Sequence, residues 1–254
     1  MIIDADTHIS PISGGGTLQL DGLIEQMDKS GVDKAICWLH PPYMREIDGS
    51  LRYIHECIQK RSDRLIGFGW VDPHLGLEKC RETIKRCLGE YGFHGIKLNG
   101  AQNSFYIDDE DLALPLVEEI AKAGTVLALH IGADEYDFTH PYRAGKLAEL
   151  YPDLPILIVH MGGAGKPDLA RPCVEMAAKH PNMTLIGSNV DFIRVKSAIE
   201  SLGAQRVCFG SDTPFSIMHA DVAAYQAFLS DYFTEDEQRL VMGGNIARVL
   251  RLIE

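Results

Sequence analysis

Eight short apolar runs punctuate the chain: MIIDAD, KAICWL, LIGFGWV, GFHGIKL, TVLALHI, PILIVHM, MTLIGS and RVCFGS. Each is nearly continuous in apolar residues, as expected of strands buried on both faces of a parallel sheet. Between them lie segments whose apolar residues recur every three or four positions. Leu20, Leu23, Ile24 and Met27 mark the first of these, over 18–29. Equivalent stretches cover 50–60, 77–88, 111–123, 143–150, 167–179, 192–201 and 220–229, with a last one at 236–252. That period predicts amphipathic helices. Gly31, Gly124 and Gly203 fall between a helical stretch and the next run, where left-handed caps are expected. Strand and helix alternate throughout, so the pattern predicts β/α units.

Eight such units make a (β/α)8 barrel, an α/β fold of about 250 residues. The chain has 254, so one TIM-barrel domain over 1–254 accounts for all of it, with an extra C-terminal helix packed on the outside. An open, doubly wound sheet is the alternative. The glycine fingerprint that a dinucleotide-binding sheet carries after its first strand is absent. Gly14-Gly15-Gly16 lies in a loop and decides nothing by itself.

Five of the eight runs end in a titratable residue, all on the same rim. The first run leads into Asp4-Ala5-Asp6-Thr7-His8, and strand alternation puts Asp4, Asp6 and His8 on one face. The later runs reach Lys97, His130, His160 and Asp212 at their C-terminal ends. Those ends form the active-site rim of a barrel. Each residue alone reads as a turn, cap or hydrogen-bonded structural group. Together, several buried polar groups need compensation. One divalent cation with imidazole and carboxylate ligands provides it.

Composition narrows the partners. A net charge of −12 argues against nucleic acid and anionic membrane. No apolar stretch approaches a membrane span of about 20 residues. MIIDADTHIS lacks the charged and apolar regions of a signal peptide. The six cysteines form no C-x-x-C pair, and several lie inside apolar runs, so buried free thiols in a cytoplasmic protein are expected.

The pieces IIDADTHIS, HGIKLN, LALHIG, LIVHMGG, RVCFGSDTPF and GGNIARVL resemble the amidohydrolase superfamily. The resemblance is to the group with aminocarboxymuconate semialdehyde decarboxylase and related barrel hydrolases. It implies that Asp6, His8, His130 and Asp212 hold one divalent metal, zinc first, with manganese or magnesium as alternatives. It implies catalytic roles for Asp212, in proton transfer, and for His160, beside the substrate. Lys97 matches a position that is a carboxylated bridging lysine in two-metal members. The usual first motif is His-x-His, and here Asp6 stands in the first place, which shifts preference toward manganese or magnesium. Homodimers or larger homo-oligomers are common in the family.

Two reactions use the same residues. In hydrolysis, metal-activated water attacks a carboxylate-bearing lactone, ester or amide. In non-oxidative decarboxylation, the metal holds a small aromatic or unsaturated acid while Asp212 protonates the carbon that loses CO2. Hydrolysis is taken first by a narrow margin, and a catalytically silent barrel is a third reading. Around the site, Lys97, Arg45, His40 and Asn189 are the candidate contacts to the small-molecule carboxylate substrate. The stretches after strands four and five should edge the pocket.

Overall fold

The computed structural model describes residues 1–41 and 47–252. Its strands are β1 (Ile3–Ile9), β2 (Lys34–Leu39), β3 (Leu65–Gly67), β4 (Gly69–Trp70), β5 (Gly95–Leu98), β6 (Val126–His130), β7 (Ile156–Val159), β8 (Met183–Ile186) and β9 (Val207–Cys208). β3 and β4 are one predicted run, parted at Phe68. All pairings are parallel, in the orders β1-β2-β3 and β4-β5-β6-β7-β8-β9. Backbone bonds close both seams. His94 N–H reaches the Gly67 carbonyl at 2.9 Å, and Phe68 N–H the Cys37 carbonyl at 3.4 Å. Across the other seam, Ala5 N–H meets the Phe209 carbonyl at 3.1 Å and His8 N–H meets that of Thr213 at 2.7 Å. The result is the (β/α)8 barrel that the alternation of runs implies, with its last strand short and the closing contacts carried by the loop after it.

The apolar residues divide into two clusters. Ile36, Trp38, Phe68, Val126, Ala128, Leu157, Val159 and Ile186 belong to the cluster that fills the barrel. Their neighbours in sequence, such as Cys37, Leu127, Ile158 and Leu185, pack outward under the helices. Gly95 belongs inside, where a Cβ would lie 2.3 Å from the Phe68 ring and 2.4 Å from the Val126 carbonyl, so a side chain there is excluded.

Three expectations need correction. The final helical stretch does not lie on the outside. It breaks into Glu235–Arg239, a wide turn over Leu240–Gly244, and Asn245–Val249. The break lets Ile246, Ala247 and Leu250 join the inner cluster and plug the barrel. The side chain of Asn245 fixes the plug by donating to the carbonyls of Ala204 at 2.7 Å and Val207 at 2.8 Å. Asp4 does not share a face with Asp6 and His8. β1 carries an extra residue between Asp4 and Thr7, a bulge relative to β2. Asp4 therefore pairs with outward Ala35, while His8 pairs with inward Trp38. Finally, Gly31 and Gly124 have left-handed φ of 69° and 65°, but Gly203, with ψ of 150°, departs from the left-handed helical region.

Candidate metal centre

The bulge in β1 is what turns Asp6 and His8 together into the barrel mouth. His8 Nε2 lies 3.5 Å from Asp6 Oδ1 and 3.4 Å from Asp212 Oδ1. Its Nδ1 is held 2.8 Å from the Leu39 carbonyl, a bond in which the ring donates, so the Nε2 lone pair faces the carboxylates. His160 is arranged in the same way, with Nδ1 3.0 Å from the Ser188 carbonyl. Donor atoms of Asp6, His160 and Asp212 all lie within 4.8 Å of one another. His130 completes the cluster. Its ring meets that of His160 edge-to-face, with centroids 4.8 Å apart.

Backbone geometry aims these groups. His160, Asn189 and Asp212 adopt left-handed φ of 65°, 55° and 61°, and Asp134, after β6, adopts 47°. Non-glycine residues rarely take this conformation outside sites where the fold over-determines it. Here it bends each strand end so that its side chain turns toward the axis. Ser188 donates to Asp6 Oδ2 at 2.5 Å, and Asn189 Nδ2 donates to Asp212 Oδ2 at 2.5 Å. Both carboxylates are thereby oriented by neighbours that leave one oxygen each toward His8.

Charge balance explains the protonation tendencies. Burial works to raise the Asp6 carboxyl, but His8, Lys97 and His160 overcome it and hold the group well below the usual carboxylate range. Burial and the nearby Lys97 charge work to lower His8, yet Asp212 and Asp6 push it above the usual imidazole value. Burial drives His130 down to about 4, so its ring is neutral near pH 7. Asp6 Oδ1 and His130 Nε2 are buried with no hydrogen-bond partner among the described residues, His130 having only Asp134 at 3.6 Å. Such orphaned acceptors are costly unless something positive meets them. The donor atoms of Asp6, His160 and Asp212, together with the unmet Asp6 Oδ1 and His130 Nε2, fit a divalent cation.

His8, His130, His160 and Asp212 line a pocket of about 310 Å³, with Asp6 fully buried behind them. Pro41, Asn99, Gln102, Asp134, Asn189 and Phe215 are among its walls. The loops after the fourth and fifth predicted strands do edge it, through Asn99, Gln102, Ala133 and Asp134. His40 stands behind Phe215, stacked on it with centroids 5.1 Å apart. Lys97 is fully buried below the pocket and is not among its lining residues. Its ammonium lies 4.5 Å from the Trp38 ring centre and 5.4 Å from that of Trp70. Arg45 lies outside the described residues. Phe215 escaped the sequence reading, although its position three residues past Asp212 in a rim loop was a usable signal.

Known proteins support this architecture. A 2-amino-3-carboxymuconate-6-semialdehyde decarboxylase from Dictyostelium discoideum is 24% identical over 239 residues, covering 79% of this chain. The chain spans 65% of that relative's length. A 5-carboxyvanillate decarboxylase from Novosphingobium aromaticivorans, solved with manganese and 4-hydroxy-3-methoxy-5-nitrobenzoic acid, superposes with a TM-score of 0.78 at 18% identity, covering 99% of this chain and 96% of that one. A dihydroxybenzoic acid decarboxylase from Polaromonas sp. JS666, solved with manganese and 2-nitroresorcinol, gives 0.75 at 19% identity, covering 99% and 97%. These two share the fold. The amidohydrolase family model matches residues 44–252, most of the chain, and the protein therefore belongs to the amidohydrolase family.

Proposed function

We propose that this protein is a metal-dependent, non-oxidative decarboxylase of a small aromatic or unsaturated carboxylic acid. The observation that carries the reading is the convergence of the Asp6, His160 and Asp212 donor atoms within 4.8 Å, behind a small pocket lined by His8, His130, His160, Asp212 and Phe215. The decarboxylase relative and the two aromatic-acid decarboxylases of the same fold favour it over the hydrolysis taken first from the sequence.

Asp6, His8, His130 and Asp212 would hold the ion, and His160, whose donor atom lies within 4.8 Å of those of Asp6 and Asp212, stands among them. The carboxylate share of the donors and the manganese in the similar structures support manganese ahead of zinc. When bound, the ion supplies positive charge that neutralises the substrate carboxylate and an adjacent oxygen. Phe215, backed by His40, offers a flat face to a planar ring. His160, with Nδ1 fixed by Ser188, presents Nε2 to orient the substrate. Asp212, whose Oδ2 accepts from Asn189, would relay a proton from solvent to the carbon that loses CO2. As the bond between ring carbon and carboxylate breaks, its electron pair stays on the ring carbon, which takes that proton while CO2 departs. Lys97 lies buried near the carboxylates, its pKa lowered by burial against the support of Asp6 and Asp212, and Arg45 is retained as a candidate contact to a substrate carboxylate.

The test is a panel of ortho-hydroxy aromatic acids and carboxylate-bearing lactones with manganese-loaded protein in D2O. CO2 release with one deuterium at the vacated carbon is expected. Ring opening of lactones without CO2 from any acid would overturn the reading in favour of hydrolysis.

A further inference from the structure

Asp4 takes no part in the chemistry above, yet it is fully buried. It sits on the outer face of β1, where the extra residue breaks register with β2. Its Oδ1 accepts two backbone N–H groups, that of Asp6 at 3.0 Å and that of Ser211 at 2.9 Å. Its Oδ2 is buried with no hydrogen-bond partner among the described residues. The two N–H groups belong to opposite ends of the chain. One is the amide of Asp6 itself, and the other immediately precedes Asp212. The Asp212 amide then returns to the Asp6 carbonyl at 2.8 Å. A single oxygen thus ties together the two backbone segments that bear the carboxylates of the metal cluster, across the seam where the barrel closes.

We propose that Asp4 is a positioning residue for the metal centre: its Oδ1 fixes the Asp6 and Asp212 segments relative to each other, so that both carboxylates meet one ion. This rests on the reading of Asp6 and Asp212 as ligands. His8 also approaches both carboxylates, at 3.5 and 3.4 Å, but among the described residues only the Asp4 side chain accepts from the backbone of both segments. Thr213 and Ser211 bond to each other, Oγ to Oγ1 at 2.8 Å, and do not reach Asp6. The role requires an acceptor oxygen at this place and not a charge. A carboxamide oxygen should therefore perform it, and a methyl group should not.

Manganese affinity of metal-stripped protein, by calorimetry, and the EPR line shape of the bound ion test the proposal without recourse to activity. Asp4→Ala should weaken affinity about 10- to 100-fold, the usual effect of losing a group that orients a ligand. Asp4→Asn should keep parental affinity and line shape. A merely structural role would lower the melting temperature of the metal-free protein and leave the affinity of the folded fraction unmoved. Parental affinity in Asp4→Ala, or a loss in Asp4→Asn as large as in Asp4→Ala, overturns the proposal. If the alanine chain does not fold, Asp4→Asn decides alone, and a loss of tenfold or more overturns it. Asp6→Ala separates the two readings. If the parent binds manganese, Asp6→Ala does not and Asp4→Ala does so normally, only the positioning role fails. If the parent binds none, the ligand reading fails and takes this one with it.

Discussion

His8 is the residue on which proton and metal compete. Its Nε2 faces two carboxylate oxygens at 3.4–3.5 Å, and they push its pKa above the usual imidazole value against the opposing effects of burial and Lys97. A ligand must be deprotonated to bind an ion, so binding releases this proton. Manganese affinity should therefore fall as pH drops through the raised His8 range. Proton uptake and release, measured by calorimetry in buffers of differing ionisation enthalpy, checks the sign; affinity that is flat from pH 6 to 9 would contradict it. Without metal the sign reverses. The His8 contribution to stability is fully present below the unfolded pKa and is lost as pH rises through the higher folded one. Asp212→Asn should lower kcat by about 10²- to 10⁴-fold, the usual scale for a proton-transfer group. Unchanged turnover in a variant that retains metal would remove Asp212 from the chemistry. Asp6, His8, His130, His160 and Asp212 were all legible as ionisable groups ending or following apolar runs, because a polar side chain there needs a reason. Their partners were not. Ser188 to Asp6, and Leu39 to His8, are contacts between segments far apart in sequence.

Among the elements, β1 and the final turn of helix depart most from simple periodicity. Strict alternation would place Asp4 beside Asp6. The extra residue in β1 separates them and sends Asp4 to the outer face. Nothing in IIDADTHI announces a bulge, since its register exists only against β2. The last helical stretch reads as one amphipathic helix, yet its break at Gly243, with φ of 175°, directs Ile246 into the barrel. Ile246 is 1% exposed, so Ile246→Ala should cost about 2–5 kcal/mol, the range for deleting a buried aliphatic side chain. Urea denaturation measures this. A loss below about 0.5 kcal/mol, typical of a surface site, would place Ile246 outside the core.

At the scale of the whole molecule, the cluster brings together carboxylates and histidines that only a folded barrel assembles. An ion that binds the folded state alone stabilises it by mass action, by about 2.7 kcal/mol at a hundredfold excess over Kd. For a chain of this size about 1 kcal/mol shifts Tm by about 2–4 °C. Manganese should thus raise Tm by about 5–10 °C, and chelation should reverse it; a melting curve indifferent to both would argue against an ion at this site. The six cysteines are buried and form no disulfide. No helix among the described residues is long and apolar enough to cross a membrane. The sequence by itself determined the repeated β/α units, the count of strands and the rim on which the ionisable residues lie. Those follow from local periodicity and from the cost of polar groups in apolar runs. Only the tertiary structure decided that Asp4 turns away, that His160 stands among the donors, that Lys97 lies beneath the pocket between two indoles, and that the chain's end plugs the barrel. Each depends on a register, a strand-end twist or a packing contact between distant segments, and no local pattern encodes those.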